Sequence, residues 1–288
     1  MPHWDDSAIL GSMRIDFTKM HGAGNDFIVF DLPQGHAPPS AEQLRKLADR
    51  RKGIGFDQAL VLEKARRANT IVFYRIFNAD GFEVEQCGNG VRCVAAFLHR
   101  RGQTGGDAFT LDSPAGLIRA RVQSDGLVSV DMGVPNFEPR SLPFDAAQSA
   151  DSYPLDVRGR KVDIGAVSMG NPHAVLTVDS TDTAPVETLG PEIEHHPRFA
   201  NRVNAGFVQI VDRSHIKLRV YERGVGETLA CGTGACAAVA VERKRGLLDA
   251  SVRVSARGGE LRVNWNGPGD NIWLTGPAEI AFEGHVEV

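Results

Sequence analysis

Two segments of the chain share one order of hydrophobic and polar positions. Residues 71–77 and 216–221 are rich in β-branched and aromatic side chains, and this pattern predicts strands. Residues 91–101 and 235–245 contain good helix formers and end in basic residues before a glycine, as helices do at their C-termini. The second helix is apolar on every side for two turns, which predicts that a sheet surrounds it.

Further elements follow from local signals. The segment Ser40-Ala41-Glu42-Gln43 has the form of a capping box and predicts a helix reaching to about Arg51. Alternating apolar residues predict strands at 13–17, 261–265 and 272–275. Proline, serine and aspartate are frequent in residues 135–154, which predicts the crossing between two structural units.

The two patterned segments belong to an internal repeat. Placing Cys87 on Cys231 gives an offset of 144 residues, and the match then runs without a gap to the Arg-Gly pairs at 101–102 and 245–246. The aligned pairs are Arg75 with Arg219, Ile76 with Val220, Phe77 with Tyr221, Asn78 with Glu222 and Glu83 with Glu227. Weaker similarities occur at other offsets: residues 24–25 resemble residues 170–171, and residues 55–58 resemble residues 206–209. We therefore predict two duplicated halves, with a ligand site in the cleft between them.

Composition limits the class of protein. The 288 residues are 42% hydrophobic and 24% charged, as in globular proteins with one large domain or two ordinary ones. No apolar run approaches the roughly 20 residues of a membrane-spanning helix, and no signal peptide is recognisable, so we expect a soluble cytoplasmic protein without a membrane partner. A net charge of −4 gives no reason to expect nucleic acid as a partner. Residues 1–12 lack a periodic pattern and are interpreted as an extension outside the fold.

The four cysteines lack the spacing of zinc or thioredoxin motifs and are expected to be reduced thiols. Cys93 and Cys236 fall inside the predicted helices and are interpreted as packing residues. His195 and His196 form an isolated pair and are expected in a solvated loop, so no metal site is predicted. No lysine stands in a pyridoxal motif and no glycine-rich segment suits a dinucleotide, so no cofactor is expected.

Cys87 and Cys231 differ from the other thiols because each begins a Cys-Gly-x-Gly segment at the start of a predicted helix. Unpaired N–H groups and the helix dipole there are expected to lower the thiol pKa and to hold a carboxylate. The glycines are expected to allow a sharp turn and close approach of a ligand. Two bases in matching settings suggest proton transfer on both faces of a carbon next to a carboxylate, which is racemisation or epimerisation.

The sequence resembles the diaminopimelate epimerase family from residue 13 to about 288. The motifs that carry this resemblance are Lys19-Met20-His21-Gly22-Ala23-Gly24-Asn25-Asp26-Phe27, Asn78-Ala79-Asp80-Gly81, Gln86-Cys87-Gly88-Asn89-Gly90, Gly170-Asn171-Pro172-His173, Arg202-Val203-Asn204, Tyr221-Glu222-Arg223-Gly224 and Ala230-Cys231-Gly232-Thr233-Gly234. The resemblance implies a pyridoxal-independent isomerase of lysine and peptidoglycan precursor biosynthesis, which interconverts LL- and meso-diaminopimelate with Cys87 and Cys231 as its acid and base.

The resemblance also implies a binding shell. The reacting end of the substrate would be bound by Gly88, Asn89, Gly232 and Thr233. The shell around the amino and carboxylate groups would be completed by Asn25, Gln58, Asn78, Asn171, Asn204, Glu222 and Arg223. Arg223 could grip a carboxylate through two hydrogen bonds, and Glu222 could pair with an ammonium group. His173 either tunes protonation near the site or only packs.

The implied fold is a mixed α/β architecture, in which two pseudo-symmetric units each curl a sheet around a central helix. Residues 13–131 with 277–288 would form the N-terminal half, and residues 132–276 the C-terminal half. The oligomeric state does not follow from the sequence, and a homodimer is compatible with it.

Two alternatives stay open. A proline racemase-like enzyme also uses two cysteines, but a proline ring would leave polar groups of this shell unpaired. A non-catalytic thiol switch, in which Cys87 and Cys231 form a regulatory disulfide, requires neither the glycines nor the asparagines.

Overall fold

A computed structural model describes residues 14–32, 36–84, 87–105 and 108–287. The predicted extension 1–12 and motif residue Gln86 lie outside the described residues. The N-terminal part contains β1 (Arg14–Gly22), β2 (Asn25–Asp31), α1 (Ala41–Ala48), β3 (Gln58–Lys64), β4 (Val72–Asn78), β5 (Glu83–Val84), α2 (Gly88–Arg100), β6 (Phe109–Ser113), β7 (Gly116–Val122) and β8 (Val128–Asp131). A short 3-10 helix (Pro139–Ser141) lies in the predicted crossing segment.

The chain continues with β9 (Tyr153–Val157), β10 (Arg160–Ser168), β11 (Pro172–Thr177), α3 (Val186–Glu194), β12 (Asn204–Asp212), β13 (His215–Glu222), β14 (Gly226–Thr228), α4 (Gly232–Lys244), β15 (Ser251–Ala256), β16 (Gly259–Asn264), β17 (Trp273–Gly276) and β18 (Glu279–Glu287). None of the helices within these described ranges has the length and apolar character needed to cross a membrane.

Strand pairing repeats from one half of the chain to the other. In the first, β2 runs parallel to β3, β3 antiparallel to β4, and β4 parallel to β6, followed by antiparallel β7 and β8. The second has the same order in β11, β12, β13, β15, β16 and β17. Strand β18 pairs with β1 as β9 pairs with β10, and β17 pairs with β8 across the halves. This repeat confirms a mixed α/β fold of two similar units.

Ion pairs recur at the positions that the 144-residue offset aligned. Arg75 holds Glu83 through two hydrogen bonds of 2.7 and 2.6 Å, and Arg219 holds Glu227 through two of 2.7 and 2.8 Å. The first ion pair joins β4 to β5, which precede Cys87, and the second joins β13 to β14, which precede Cys231. The offset therefore aligned residues that have the same structural role.

Each half of the sheet curls around one helix. Residues 235–241 of α4 are at most 3% exposed, which confirms the prediction of a helix enclosed on all sides. Helix α2 occupies the same position in the N-terminal core. Helices α1 and α3 cover the outside of the sheets in two further apolar clusters.

Three details of the sequence interpretation were wrong. Helix α1 has the predicted capping box but ends at Ala48, because the Asp49 carboxylate accepts the N–H groups of Arg51 and Lys52 and turns the chain. Helix α3 was not predicted; it begins after Pro185 without a side-chain cap and contains an internal proline. The predicted similarity between residues 55–58 and 206–209 aligns the wrong residues. Gln58 begins β3, which pairs in parallel with β2, and Asn204 begins β12, which pairs in parallel with β11. Gln58 therefore corresponds to Asn204.

Candidate active site

The starts of the two central helices meet. Cys87 and Cys231 are the N-cap residues of α2 and α4, and both have extended backbones. A Cβ added to Gly232 would lie 3.7 Å from the Cα of Gly88 and 3.6 Å from Oδ1 of Asn89. The N–H groups of both helix starts therefore converge on one region, with a cysteine beside each.

The glycines of these two helix starts provide space rather than unusual backbone geometry. None of the four is among the described residues with positive φ, so none uses the left-handed backbone conformation that glycine allows. A Cβ on Gly88 would approach Cε of Met132 to 3.2 Å, and one on Gly232 would approach Cδ2 of Leu274 to 2.9 Å. The absence of side chains lets the helix starts approach each other across the halves.

The thiol of Cys87 faces Asn25. The Sγ atom of Cys87 donates to Oδ1 of Asn25 at 3.7 Å, and Nδ2 of Asn25 donates to Asp57 at 2.6 Å. Because a carboxylate only accepts, Asp57 fixes the Asn25 amide with its oxygen toward the thiol. Asn25 therefore stabilises the protonated form of Cys87.

A charged network supports Asp57 from behind. Arg50 donates to both Asp57 and Asp26 at 2.7 Å, and Lys19 donates to Asp26 at 2.5 Å and to the carbonyl of Gly55. Burial opposes ionisation of Asp26, but the bonds from Arg50 and Lys19 outweigh it and hold the pKa of Asp26 well below its usual range. Lys19 and Asp26 stood in a recognised motif, whereas the roles of Arg50 and Asp57 had no sequence signal.

A hydrogen-bonded chain leads to the second thiol. His173 bonds through Nε2 to Oδ1 of Asn171 at 3.0 Å, Nδ2 of Asn171 donates to Oγ1 of Thr233 at 3.4 Å, and that hydroxyl lies 3.5 Å from Sγ of Cys231. Burial and the nearby charge of Arg223 lower the pKa of His173 to about 3. His173 is thus a neutral imidazole that donates from Nε2 and orients Asn171.

The expected lowering of the cysteine pKa values is wrong. Burial raises the pKa of Cys87 to about 11, and although the backbone N–H groups of Gly90 and Asn89 oppose it, they do not outweigh it. Burial likewise raises the pKa of Cys231 well above its usual value. The carboxylate of Glu222 raises both values further, so its charge reaches both thiols.

Glu222 is itself fixed within the site. Its Oε1 accepts from the hydroxyl of Thr228 at 2.5 Å. At the corresponding position of the first half, Asn78 accepts at Oδ1 from Nε2 of Gln58 at 2.8 Å. Oε1 of Gln58 is buried without a hydrogen-bond partner in the described part of the chain. A carboxylate and an unused amide oxygen therefore provide acceptors suited to an ammonium group.

Asn204 and Arg223 lie together at the edge of the site. Oδ1 of Asn204 accepts from the backbone N–H of Arg223 at 2.9 Å, and its Nδ2 donates to the carbonyl of Pro172 at 3.0 Å. Glu194, at the end of α3, accepts the N–H of Gly224 at 2.7 Å. Glu194 had no motif to indicate this role, because α3 itself carried no clear signal.

The remaining cysteines and histidines lie apart from this arrangement. Cys93 and Cys236 are fully buried inside the helices, which confirms their interpretation as packing residues. His196 is 9% exposed and bonds to the carbonyl of Asp156 at 3.3 Å, so its expected place in a solvated loop was wrong. Within the described ranges, no three histidine, cysteine or acidic side chains are grouped to hold a metal.

Two cavities open elsewhere on the surface. One of about 330 Å³ lies by the β16–β17 turn, next to Trp265, and one of about 460 Å³ lies by β4 and β6, next to Arg67. Neither is lined by Cys87 or Cys231. Both cavities are therefore separate from the region between the helix starts.

Known proteins resemble this chain over most of its length. The family model described as diaminopimelate epimerase matches residues 17–138 and 165–281. The chain belongs to the diaminopimelate epimerase family. The diaminopimelate epimerase of Alkalilimnicola ehrlichii is 54% identical over 278 residues, and that of Nitrosomonas europaea 53% over 276; each match covers 96% of this chain and 100% of the relative.

Solved structures share the fold of this epimerase-family chain. A phenazine biosynthesis protein of the PhzF family from Bacillus anthracis superimposes with a TM-score of 0.67 at 18% identity, covering 96% of this chain and 100% of that one. A hydroxyproline epimerase from Agrobacterium vitis gives a TM-score of 0.67 at 17% identity, covering 96% and 93%. At such identities the likeness concerns the fold alone.

Proposed function

We propose that this protein interconverts LL- and meso-diaminopimelate, with Cys87 and Cys231 as the acid and base. The observation that carries the proposal is the meeting of two helix starts, each capped by a cysteine. One thiolate removes the α-proton from one face of the carbon, and the opposite thiol donates its proton to the other face. Reversing the reaction exchanges the two roles.

The converging N–H groups of residues 88–90 and 232–234 supply the second requirement. Removal of an α-proton places negative charge on the substrate carboxylate, and fixed donors at two helix starts stabilise that charge. The donors are already in place and need little reorganisation when the charge forms. This accounts for an acid–base reaction without a covalent intermediate on the protein.

The raised pKa values of the thiols fit this chemistry. An α-proton is weakly acidic, so a more basic thiolate removes it more readily once it has formed. Glu222 raises the pKa of both thiols, and a substrate ammonium group paired with Glu222 would neutralise that effect. We infer that substrate binding itself promotes formation of the thiolate.

We propose that the remaining predicted residues form the binding shell described above. Asn25, Asn171 and His173 orient the groups next to the thiols, while Gln58, Asn78, Glu222 and Arg223 face the amino and carboxylate ends. Asn204 acts through the backbone of Arg223. The repeated strand pairing supports halves bounded at 13–131 with 277–288 and at 132–276. A cytoplasmic location, where thiols stay reduced, completes the proposal.

The decisive experiment is incubation of the reduced protein with LL-diaminopimelate in heavy water. We expect loss of the α-proton NMR signal and appearance of the meso isomer. Proline in a parallel incubation tests the racemase alternative. Exchange with proline and none with diaminopimelate would transfer the assignment to that activity.

The two cysteines are tested individually. Cys87→Ala and Cys231→Ala should each lower epimerisation by at least about a thousandfold and leave the fold intact, because either change removes one side of the proton relay. Cys93→Ala, in the same helix as Cys87 but inside the core, is the matched control. Equal inactivation by Cys93→Ala would show that the wrong thiols had been chosen.

A further inference from the structure

A buried arginine with no carboxylate partner lies under the start of α2. The side chain of Arg92 is 0% exposed, and across residues 14–32, 36–84, 87–105 and 108–287 no acidic group forms an ion pair with it. Its Nη1 atom has no hydrogen-bond partner among those residues. Burial lowers its pKa from the usual value. Because an unpaired buried charge lowers stability, this arginine is expected to have a role beyond packing.

The guanidinium of Arg92 is closely surrounded by backbone groups at the junction of the two halves. Its Nε donates to the carbonyl of Pro277, which joins β17 to β18, at 3.3 Å. A Cβ on Gly276 would lie 3.2 Å from Nε, and one on Gly22 would lie 3.5 Å from Nη2. Two glycines therefore leave room for the guanidinium and hold it in one place.

The remaining strong contact of Arg92 is with the candidate site. Its Nη2 donates to Oδ1 of Asn89 at 2.8 Å. Since a guanidinium only donates, the Asn89 carboxamide must turn its oxygen toward Arg92 and its Nδ2 away. Asn89 is 3% exposed as a whole residue, and no hydrogen bond from its Nδ2 to another described residue is present. Nδ2 is not among the described atoms that are both fully buried and unpartnered, so a donor of fixed orientation remains accessible at the start of α2.

We propose that Arg92 is a positioning residue, which locks the carboxamide of Asn89 so that Nδ2 donates to the substrate carboxylate. The Oδ1 atom of Asn89 lies 3.6 Å from where a Cβ of Gly232 would stand, so this carboxamide is at the contact between the two helix starts. The guanidinium charge also favours an anion there, because no acidic partner among the described residues neutralises it. This inference rests on the proposed function, in which that region holds the carboxylate.

The internal repeat shows that the second half lacks an equivalent of the Arg92–Asn89 hydrogen bond among the described residues. The 144-residue offset places Arg92 on Cys236 and Asn89 on Thr233. Thr233 is oriented instead by Asn171, and Cys236 is packed in the core. The two faces of the site are therefore built differently, because Arg92 bonds to Asn89 whereas its counterpart Cys236 carries no positive charge.

Asn89→Asp tests the orientation without removing the arginine. The new carboxylate can still accept from Arg92, but it presents an oxygen where Nδ2 stood and would repel the substrate carboxylate. We expect kcat/KM to fall at least about a hundredfold, mainly through KM, while Tm stays the same or rises because Arg92 gains a counter-charge. Retention of wild-type KM would overturn the proposal.

Arg92→Met and Arg92→Lys test the arginine itself. We expect Arg92→Met to lower kcat/KM by about 10- to 100-fold, with partial recovery in Arg92→Lys. Arg92→Met combined with Asn89→Ala should be no worse than the more damaging single change, because the arginine acts through the amide. Multiplying effects, or unchanged kcat/KM in folded Arg92→Met, would indicate a structural role only.

Arg101→Met is the matched control, because Arg101 lies at the far end of α2 and pairs with exposed Asp31 at 2.6 Å. It should change kcat/KM less than about twofold. If Arg92→Met does not fold, Asn89→Asp still decides the orientation. Failure of the proposed function is distinguished separately, since the wild-type protein would then show no turnover of diaminopimelate at all.

Discussion

Hydrogen-bond polarity at single residues gives the two thiols different environments. Cys87 faces an amide oxygen that Asp57 fixes in place, and that oxygen can only accept from the thiol. Cys231 faces the hydroxyl of Thr233, which accepts from Asn171 and can therefore donate to sulfur. The first environment favours a thiol and the second allows a thiolate, so equivalent positions in the repeat are not chemically equivalent.

Thr233→Val should shift the pH dependence of the reaction. The Thr233 hydroxyl lowers the pKa of Cys231, although burial raises it more. Its removal raises that pKa further, so the rise in activity that requires Cys231 as thiolate moves to higher pH. Rate profiles measured separately from LL- and meso-diaminopimelate check this, with Thr233→Ser as the control that keeps the hydroxyl. An unchanged profile in the valine variant would show that the 3.5 Å contact has no effect on the base.

His173 should make stability depend on pH below neutrality. Its pKa is about 3 in the folded protein, against 6.5 for an unperturbed histidine. Between these values the unfolded chain binds a proton that the folded protein does not, so folding free energy is lost as the pH falls from 6.5 toward 3, by up to about 1.4 kcal/mol per pH unit. Urea unfolding at pH 7, 6 and 5 measures the loss, and His173→Gln should show a shallower slope. Equal slopes would mean that His173 titrates normally.

At the scale of elements, the sheets enclose the central helices with little free space. A Cβ on Gly165 of β10 would lie 2.2 Å from Cγ1 of Val241 in α4. Gly165→Ala should therefore destabilise the protein by about 1–3 kcal/mol through overpacking. Gly105→Ala is the control, because no atom of the described residues lies within 4 Å of its added Cβ. Denaturant unfolding compares the two, and Val241→Ala added to Gly165→Ala should recover part of the loss.

The sequence predicted the elements that have strong local patterns. The helix starts at Cys87 and Cys231 and the strands before them follow from side-chain periodicity and from the repeat. Helix α3 was not predicted because Pro185 and Pro191 are atypical of helices at these positions. It is stabilised by packing on β12 and β13. The supports Arg50, Asp57 and Glu194 act through tertiary contacts, which no local spacing encodes. Burial likewise reversed the expected direction of the cysteine pKa values, because the helix start alone does not reveal how far the site is enclosed.

At the scale of the whole molecule, the two halves are held together through the same region that contains the chemistry. Strand β17 pairs with β8, the chain returns through Pro277 to β18, and Arg92 bonds to the Pro277 carbonyl beside the helix starts. The relative placement of the halves therefore sets the distance between the two thiols. Fixing the halves against each other and presenting both cysteines to one carbon are a single structural requirement.

Oxidation tests this requirement directly. The four described cysteines are free, and Cys87 and Cys231 cap helices whose first glycines are in contact. Mild oxidation should join these two sulfurs and abolish epimerisation, because a disulfide can neither accept nor donate the α-proton, and a thiol reductant should restore it. Peptide mass spectrometry identifies the bridge, and Cys93→Ala should oxidise in the same way as the wild type. A preparation that carries the Cys87–Cys231 bridge and keeps full activity would contradict the two-thiol mechanism, and failure of the bridge to form under oxidation would contradict the pairing of the halves.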